Sequence, residues 1–504
     1  MRRQMYAKPM TTARKSLYVC LIAGATVASQ AAEYRVAVDP DVGAARVEIR
    51  LAEGESSDLF SMPAWAPGDY RIVNFGRHVR DVKFWQGADE IPLKDGRANG
   101  VNAWRASRPG DKVTYTVLAQ PPGIFSENLR ITATEVFWNG PAVFGWLEGH
   151  AKEAHSVRVE TAPVGGVFVC PLSGVLDAKS SERTFTAKDY DSLVDSPVVF
   201  GTTISTRTFI VSGKEHVLAA FRRPASLSLT DFETTCRAIV TEAQSLIGEL
   251  PYARYVFFLD VGGPGGGLEH ADSARLAIPP GVRSTGVAGF LAHEFFHAFN
   301  VKRIRPKPLG PFDYTRPAIT STLWWMEGVT DYYAELLTYR AGLIDQEEFL
   351  ANLGYAVDYA MNSPAAETVS AAESSRRVWE ANNSSGFGGL SYYDEGKAIG
   401  FCLDLAIRWK TGGVRSLDDV VRTLYAETSG GKPGFGDGRI RDVCVQVGGS
   451  ELAGMYDACV ERPGPLPIRD ALAAHGLFFD GRGIQRSPNA SADALRLLSQ
   501  FLTR

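Results

Sequence analysis

Two histidines and a glutamate lie in one short stretch, His293-Glu294-Phe295-Phe296-His297. The stretch falls in an apolar segment of helical periodicity, where this spacing places both imidazoles on one helix face. Two such imidazoles can bind a single zinc ion, and a carboxylate beside them can take a proton from water. The pattern predicts metal ligands at His293 and His297 and a general base at Glu294. The alternative is a helix with two partly buried histidines.

A catalytic zinc site needs a third protein ligand and an open fourth position for water. Glu327 is our candidate for that ligand, because it follows His297 by 30 residues on a second predicted helix. Asp331 lies one turn further on the same face, where it can hydrogen-bond a ligand histidine and fix its tautomer. Both acids could instead be surface residues, but the tryptophans and tyrosines that flank them argue against a solvated face.

Several further stretches carry a resemblance to a known family. They are Met62-Pro-Ala-Trp-Ala-Pro-Gly-Asp-Tyr70, Leu193-Val-Asp-Ser-Pro197, Gly266-Gly-Leu-Glu-His270, Asn300-Val-Lys-Arg-Ile-Arg-Pro306 and Ser416-Leu-Asp-Asp-Val420. Together with the two-histidine, one-glutamate set, they resemble the glycyl aminopeptidase family of gluzincin metallopeptidases over about residues 33–480. The resemblance implies a thermolysin-like catalytic domain, one zinc ion per chain and a peptide substrate with a free N-terminus.

The resemblance also implies roles for residues outside the metal set. Related aminopeptidases line the cleft with a glycine-containing strand whose glutamate binds the substrate amine, which implicates Gly266, Gly267 and Glu269. A carboxylate there would pair with an ammonium and so measure one residue from the chain end. The segment Tyr393-Asp394-Glu395-Gly396 is similar to a motif whose tyrosine donates to the oxyanion, so Tyr393 is the expected donor, with Tyr392 left open as the alternative.

The expected activity is removal of an N-terminal residue, with a preference for Gly or Ala implied only by the resemblance. Two other functions stay open. One is a zinc endopeptidase of the same fold, in which Glu269 does not contact the substrate amine. The other is a catalytically weak homologue that captures peptides, against which the intact Glu294 argues.

The chain pattern predicts an α+β protein with an N-terminal antiparallel β-sandwich domain and a mostly helical second domain, and the resemblance implies that this second domain is thermolysin-like. Expected bounds are a signal peptide over residues 1–31, the β domain over 32–213, the catalytic domain over 214–480 and a polar tail over 481–504. The stretch from Asn362 to Leu390 is expected to be a long surface loop. Family members usually carry a PDZ domain after the catalytic domain, and none is expected before residue 504.

The N-terminus predicts export to the periplasm or beyond. Basic residues precede the apolar run from Leu17 to Ala28, and small residues suit cleavage near Ala31. The alternative is a lipoprotein anchor at Cys20, which the bulky Val19 disfavours. The apolar run is too short for a stable membrane span after processing.

The formal net charge of -4 gives no broad basic field, so nucleic acid is not expected as a partner. Oligomeric state is left open. The remaining cysteines, Cys170, Cys236, Cys402, Cys444 and Cys459, are odd in number, and only Cys444 and Cys459 have a spacing that suggests a pair.

Overall fold

The computed structural model describes residues 32–97, 100–121, 128–172, 174–175, 181–222, 227–381 and 385–503. The predicted signal peptide, residues 1–31, lies outside the described residues. The chain folds as a β domain followed by a mostly helical domain built on one small sheet. The expected α+β fold class is therefore confirmed.

The β domain is made of short strands that follow one another along the chain. They are β1 (Ala32–Asp39), β2 (Ala44–Leu51), β3 (Ser57–Ser61), β4 (Val79–Gln86), β5 (Asp89–Ile91), β6 (Leu93–Arg97), β7 (Ala103–Gly110), β8 (Lys112–Leu118), β9 (Leu129–Ile131), β10 (Glu135–Trp138), β11 (Trp146–Leu147), β12 (His155–Glu160), β13 (Val167–Val169), β14 (Gly174–Val175), β15 (Glu182–Ala187) and β16 (Val198–Gly201). Two short helices accompany them, α1 (Gly140–Val143) and α2 (Tyr190–Val194).

The described strands form sheets in the orders β14-β15-β12-β1-β2-β8-β4-β5, β13-β16-β10-β9 and β11-β3-β7-β6. Pairing is antiparallel as expected, except that β1 and β12 run parallel, from Ala32 opposite His155 to Ala37 opposite Glu160. One apolar core lies between the sheets. This arrangement is the expected sandwich, with one parallel pair added.

Strand alternation decides how the two domains meet, because successive side chains of a strand point to opposite faces. In β10, Val136 and Trp138 pack into the core of the β domain, whereas Phe137 between them packs against the second domain. Val199 of β16 faces the same way as Phe137. The two domains therefore share a buried contact between sheets.

The second domain contains one mixed sheet and most of the helices. Its strands are β17 (Ser205–Val211), β18 (Lys214–Phe221), β19 (Arg254–Val261), β20 (Gly267–Glu269) and β21 (Ser273–Ile278), in the order β17-β18-β19-β21-β20, and hairpins are formed by β22 (Gly386–Phe387) with β23 (Leu390–Ser391) and by β24 (Leu477–Phe479) with β25 (Ile484–Arg486).

The helices of the second domain pack with one face of this sheet into a single apolar core. They are α3 (Leu229–Ile247), α4 (Ala288–Phe296), a π-helical segment (Trp324–Val329), α5 (Thr330–Arg340), α6 (Gln346–Asn362), α7 (Ala371–Arg377), α8 (Tyr392–Lys410), α9 (Leu417–Thr428), α10 (Arg439–Gly448), α11 (Leu452–Val460), α12 (Arg469–Ala474) and α13 (Ala492–Phe501).

The structure places the domain boundary earlier than the expected residue 213. β17 pairs antiparallel with β18, from Ser205 opposite Ala220 to Val211 opposite Lys214. The two strands form a hairpin with one hydrogen-bond ladder, and β18 continues the sheet of the second domain. The β domain therefore ends at β16.

The stretch Asn362–Leu390 is not the long surface loop that its composition suggests. It contains α7, two 3₁₀ turns and β22. Small buried residues explain the difference, because Ser374 Oγ donates to Leu390 O at 2.6 Å and Ser375 Oγ accepts from Trp324 N at 2.9 Å. Serine and alanine here allow close packing rather than marking exposure.

Residues 481–504 are not the loose tail that was expected, because α13 packs on the core. Its buried residues are Ala494, Leu497, Leu498 and Phe501, which lie on one helical face. Tyr339 Oη donates to Leu502 O at 2.8 Å and fixes the end of this helix.

The cysteines that the sequence leaves unassigned are all buried free thiols. Cys444 and Cys459 do not pair, and the thiol of Cys459 is hydrogen-bonded with that of Cys402 instead. No helix among the described residues is both long enough and apolar enough to cross a bilayer.

A cluster of charges joins the two domains, and we call Arg130, Glu135, Arg222, Asp260 and Arg275 the junction cluster. The Asp260 carboxylate accepts from Arg275 at 2.6 Å and from Arg222 at 2.8 Å, and Arg130 lies 3.6 Å from it. Arg130 also donates to Glu135 at 2.7 Å. Arg130 and Glu135 belong to the β domain, so these ion pairs hold the domains together.

Candidate active site

Helix α4 presents the two predicted histidine ligands. Its buried residues Leu291, Ala292 and Phe295 anchor it on the core, which leaves the face with His293 and His297 directed into the site. The two Nε2 atoms lie 3.0 Å apart. The spacing inferred from the sequence therefore brings both imidazoles to one point.

Glu327 comes to the same point from the π-helical segment. Its Oε2 lies 3.2 Å from His297 Nε2 and 3.6 Å from His293 Nε2. Burial alone would raise the pKa of Glu327, but the two imidazoles outweigh it and hold that pKa well below its usual value. Short π-helical segments are frequent at functional sites, because the extra residue re-aims side chains.

The three side chains fit a tetrahedral zinc ion. Zinc-to-ligand distances near 2.0–2.1 Å imply ligand atoms about 3.3 Å from one another, and the observed distances are 3.0, 3.2 and 3.6 Å. The donor set of two imidazoles and one carboxylate is the set that catalytic zinc sites use. His293, His297 and Glu327 are thus the residues that would hold the metal.

Each ligand is oriented by a further hydrogen bond. His293 Nδ1 lies 2.7 Å from Asp331 Oδ1, and His297 Nδ1 lies 2.7 Å from Asn300 O. These contacts leave both Nε2 atoms free to face the metal position. Tyr70 Oη donates to Glu327 Oε1 at 3.3 Å, so all three ligands are held.

A second possible ligand group exists in the described part of the chain and shares His297 with the first. It consists of Glu269, Glu294 and His297, whose ligand atoms all lie within 4.8 Å of one another. It lacks the second oriented imidazole that completes the first group. Because it shares His297 with the first group, the carboxylates of Glu269 and Glu294 lie next to the candidate metal position.

Glu294 is buried beside the ligands. It is 5% exposed, and its Oε2 has no hydrogen-bond partner among the described residues. Burial raises the pKa of Glu294 to about 7. Gly267 of β20 packs against this carboxylate so closely that a Cβ at that position would lie 1.9 Å from Oε1. Glycine at position 267 is therefore required for the base to fit.

Gly266 and Glu269 are the other expected substrate-binding residues; Gly266 immediately precedes β20, and Glu269 is the last residue of that strand. Gly266 has φ +85° and begins the turn into β20. Arg275 of the junction cluster donates to Gly266 O at 3.1 Å and to Pro264 O at 3.1 Å, which fixes this turn. Glu269 is 4% exposed and faces the metal position.

Helix α8 carries both candidate tyrosines. Both lie in its first turn, where Tyr392 is fully buried in the core and Tyr393 is partly exposed, with its ring 6.2 Å from that of His293. The helix lies so close to the π-helical segment that a Cβ on Gly328 would be 2.4 Å from the Cα of Gly396. Glycine at both positions allows this approach. Burial raises the pKa of Tyr393 well above its usual value, so its phenol stays protonated.

Sequence reasoning assigned no role to Tyr70, Gly68, Asp195 or Lys302, which the structure brings to the site. Tyr70 contacts a metal ligand, and Gly68 lies against Glu269. Asp195 and Lys302 form an ion pair behind Glu269. The signal was present, because all four lie in stretches that carry the family resemblance, but contacts between distant segments are not readable from the chain.

Comparison with solved structures shows a shared fold. An aminopeptidase N family protein from Idiomarina loihiensis superposes with a TM-score of 0.80 at 23% identity, covering 89% of this chain and 78% of that one. An M1 zinc metallopeptidase from Deinococcus radiodurans gives a TM-score of 0.54 at 14% identity, covering 87% and 96%. Leukotriene A4 hydrolase from Saccharomyces cerevisiae gives 0.55 at 14% identity, covering 89% and 70%.

Comparison by sequence identifies the family. A search of curated proteins gave no match. Residues 33–202 match the M61 peptidase N-terminal domain. Residues 286–399, which include the candidate metal ligands His293, His297 and Glu327, match the M61 glycyl aminopeptidase. Together the two matches cover more than half of the chain. The chain is a peptidase that belongs to the M61 glycyl aminopeptidase family.

Proposed function

We propose that this protein is a zinc-dependent aminopeptidase that hydrolyses the N-terminal peptide bond of peptides and prefers small residues such as Gly or Ala. One observation carries the proposal. His293, His297 and Glu327 converge within zinc-binding distance, and the carboxylates of Glu294 and Glu269 lie within 4.8 Å of the His297 ligand atom. The site thus combines a metal position, a base and an anion for the substrate amine.

His293, His297 and Glu327 would hold a zinc ion, which would supply a Lewis acid for the water and the scissile carbonyl. Glu294 takes the proton of the attacking water and delivers it to the leaving amine. A base with a pKa near the working pH can do both, and burial raises the pKa of Glu294 to about 7. Its lack of a hydrogen-bond partner among described residues leaves Oε2 available to water.

Tyr393 and Glu269 act on the substrate. Tyr393 donates its phenolic hydrogen to the oxygen that becomes negative during the reaction. Glu269 pairs with the terminal ammonium, an interaction that is strong in a buried site. The preference for small residues rests on membership of the glycyl aminopeptidase family.

The test is hydrolysis of Gly and Ala chromogenic amides by the mature protein. We expect Glu294→Gln to lower kcat by about 10²–10⁴-fold, because a general base contributes this much. Glu347→Gln, on the exposed face of α6, is the matched control and should leave kcat unchanged. A zinc chelator should abolish activity, and added zinc should restore it.

N-blocked substrates separate the remaining alternatives. An aminopeptidase loses activity when the substrate amine is acetylated, whereas an endopeptidase does not. Cleavage of acetylated peptides would replace the proposal with an endopeptidase. Peptide binding without turnover, with zinc present in the protein, would identify a catalytically weak binding homologue.

Export belongs to the proposal as well and is supported by the sequence of residues 1–31. The expected result is a mature N-terminus near residue 32 in the periplasm or medium. Cell fractionation with N-terminal sequencing measures this. An unprocessed chain in the cytoplasm would contradict it.

A further inference from the structure

A buried lysine lies behind the proposed amine-binding carboxylate. The Lys302 side chain is 6% exposed, and its Nζ lies 3.1 Å from Asp195 Oδ1 and 3.8 Å from Glu269 Oε1. Burial by itself lowers the pKa of Lys302, but the two carboxylates outweigh burial and raise that pKa. Lys302 is therefore a fixed positive charge between two acids.

Asp195 holds this lysine from the other domain. It follows helix α2 of the β domain, and besides Lys302 it binds His270 Nδ1 at 3.1 Å and accepts from Ala271 N at 2.7 Å. His270 and Ala271 directly follow Glu269 in the chain. One carboxylate of the β domain thus fixes both the lysine and the backbone that carries Glu269.

Gly68 of the β domain confines Glu269 from a further side. A Cβ at position 68 would lie 2.5 Å and 2.9 Å from the two carboxylate oxygens, and Gly68 has φ +95°, which favours glycine. With Lys302 on one side and the Gly68 backbone on another, the Glu269 carboxylate has little freedom to turn. Such confinement is what a site needs to present an acceptor before the substrate arrives.

We propose that Lys302 is a positioning residue that holds the Glu269 carboxylate in the orientation that receives the terminal ammonium of the substrate. This inference rests on the proposed aminopeptidase function. The charges of Asp195, Lys302 and Glu269 sum to one negative charge, so a single ammonium completes the balance. Because Asp195 anchors the lysine, amine recognition depends on the β domain as well as on the catalytic domain.

The test is a double-mutant cycle with Glu269→Gln and Lys302→Met on a Gly amide substrate. We expect Lys302→Met to raise KM by roughly ten-fold with kcat changed by less than about three-fold, as fits loss of one coupled contact. The double variant should be no worse than Glu269→Gln alone, since Lys302 acts through Glu269. Additive losses would overturn the proposal.

Controls separate positioning from folding. Lys410→Met removes a lysine that pairs with Glu451 on the surface, with side chains 30% and 71% exposed, and should leave KM unchanged. Asp195→Asn keeps Lys302 and should also raise KM, so it provides a second route if Lys302→Met does not fold. If Lys302→Met and Asp195→Asn both lowered kcat, zinc content and secondary structure content together, Lys302 would have a structural role and the proposal would be overturned.

A binding measurement distinguishes this inference from the proposed function. Calorimetry with Gly-Ala-Ala, free or acetylated at its N-terminus, gives the same cycle without turnover when every variant also carries Glu294→Gln, which removes the proposed base. No hydrolysis by the wild-type protein would contradict the aminopeptidase function. Tight binding of the free peptide with no coupling between Lys302 and Glu269 would contradict only the inference.

Discussion

The junction cluster and the active site are both groups of buried charge, but they balance their charges differently. In the junction cluster, three guanidinium groups face the carboxylates of Asp260 and Glu135, so each carboxylate has at least one arginine partner. We call Glu269, Glu294, Glu327, His293 and His297 the catalytic cluster. Lys302 is the only lysine or arginine in ion-pair contact with its carboxylates, as far as the described chain extends.

The difference shows which cluster is structural and which binds ligands. Burying a charge is costly unless a counter-charge accompanies it. The junction cluster supplies an arginine for each of its carboxylates, and these ion pairs join the two domains. The catalytic cluster has carboxylates in excess, so its balance is completed by cations from outside, which the proposed function identifies as zinc and the substrate ammonium.

Displacing the base of the catalytic cluster should have the largest effect. Gly267→Ala places a Cβ 1.9 Å from Glu294 Oε1, so the carboxylate must move. We expect kcat for a Gly amide to fall by about 10²–10⁴-fold, the range for losing a general base, with zinc content unchanged. Gly265→Ala is the matched control on the same loop, since no heavy atom lies within 4 Å of its Cβ. Equal losses in both variants would contradict this reading.

A smaller loss should follow removal of the hydrogen bond that orients Glu327. Tyr70→Phe deletes the donor to Oε1, and we expect zinc affinity to fall about 10–100-fold, as is usual for partners of metal ligands. Competition with a fluorescent chelator measures it. Tyr332→Phe loses a 2.7 Å bond to Asp404 outside the site and should keep its zinc affinity. A Tyr70→Phe protein with wild-type affinity would show that the contact is incidental.

In the junction cluster, a broken ion pair should affect stability rather than catalysis. Arg130→Met removes the 2.7 Å bond to Glu135 and should lower the free energy of unfolding by about 2 kcal/mol, as for a hydrogen bond to a charged group. Urea denaturation measures this, and kcat and KM of the folded protein should stay unchanged. Arg158→Met, at a surface pair with a 47% exposed arginine, should change stability little. An Arg130→Met protein with wild-type stability and reduced activity would contradict the assignment of the junction cluster to stability rather than catalysis.

A last, pH-dependent effect concerns a buried carboxyl outside both clusters, which a bound proton keeps neutral. Burial, followed by the charge of Asp394, raises the pKa of Glu395 from 4.5 to about 8. The folded state therefore keeps a proton that the unfolded state releases, and this contribution to stability is full below pH 4.5 and lost as pH rises through about 8. The Glu395→Gln protein lacks this pH-dependent loss of stability. The difference between its Tm and that of the wild-type protein should therefore increase from about pH 5 to about pH 9. A constant difference would contradict the raised pKa.

Local pattern predicted much of the fold. The apolar run Arg254–Val261 predicts a strand with the observed bounds. The helical periodicity from Gln346 to Met361 predicts a helix that ends one residue before the observed end at Asn362. Both carry their periodicity within one segment, where apolar burial follows the pattern. Two predictions from local pattern were wrong: the domain boundary at residue 213 and the polar tail in which helix α13 lies. There the deciding contacts were a strand pairing and a docking surface contributed by other segments.

The sequence by itself determined the candidate metal-binding motif, because His293, Glu294 and His297 are related by one helical turn and need no distant contact to lie close together. It also indicated Glu327 and Asp331 through their common helix. Only the tertiary structure decided that Tyr70, Gly68 and Asp195 of the β domain reach the same site and that Lys302 faces Glu269. These contacts join residues far apart in the chain, and their distances are set by how two domains pack.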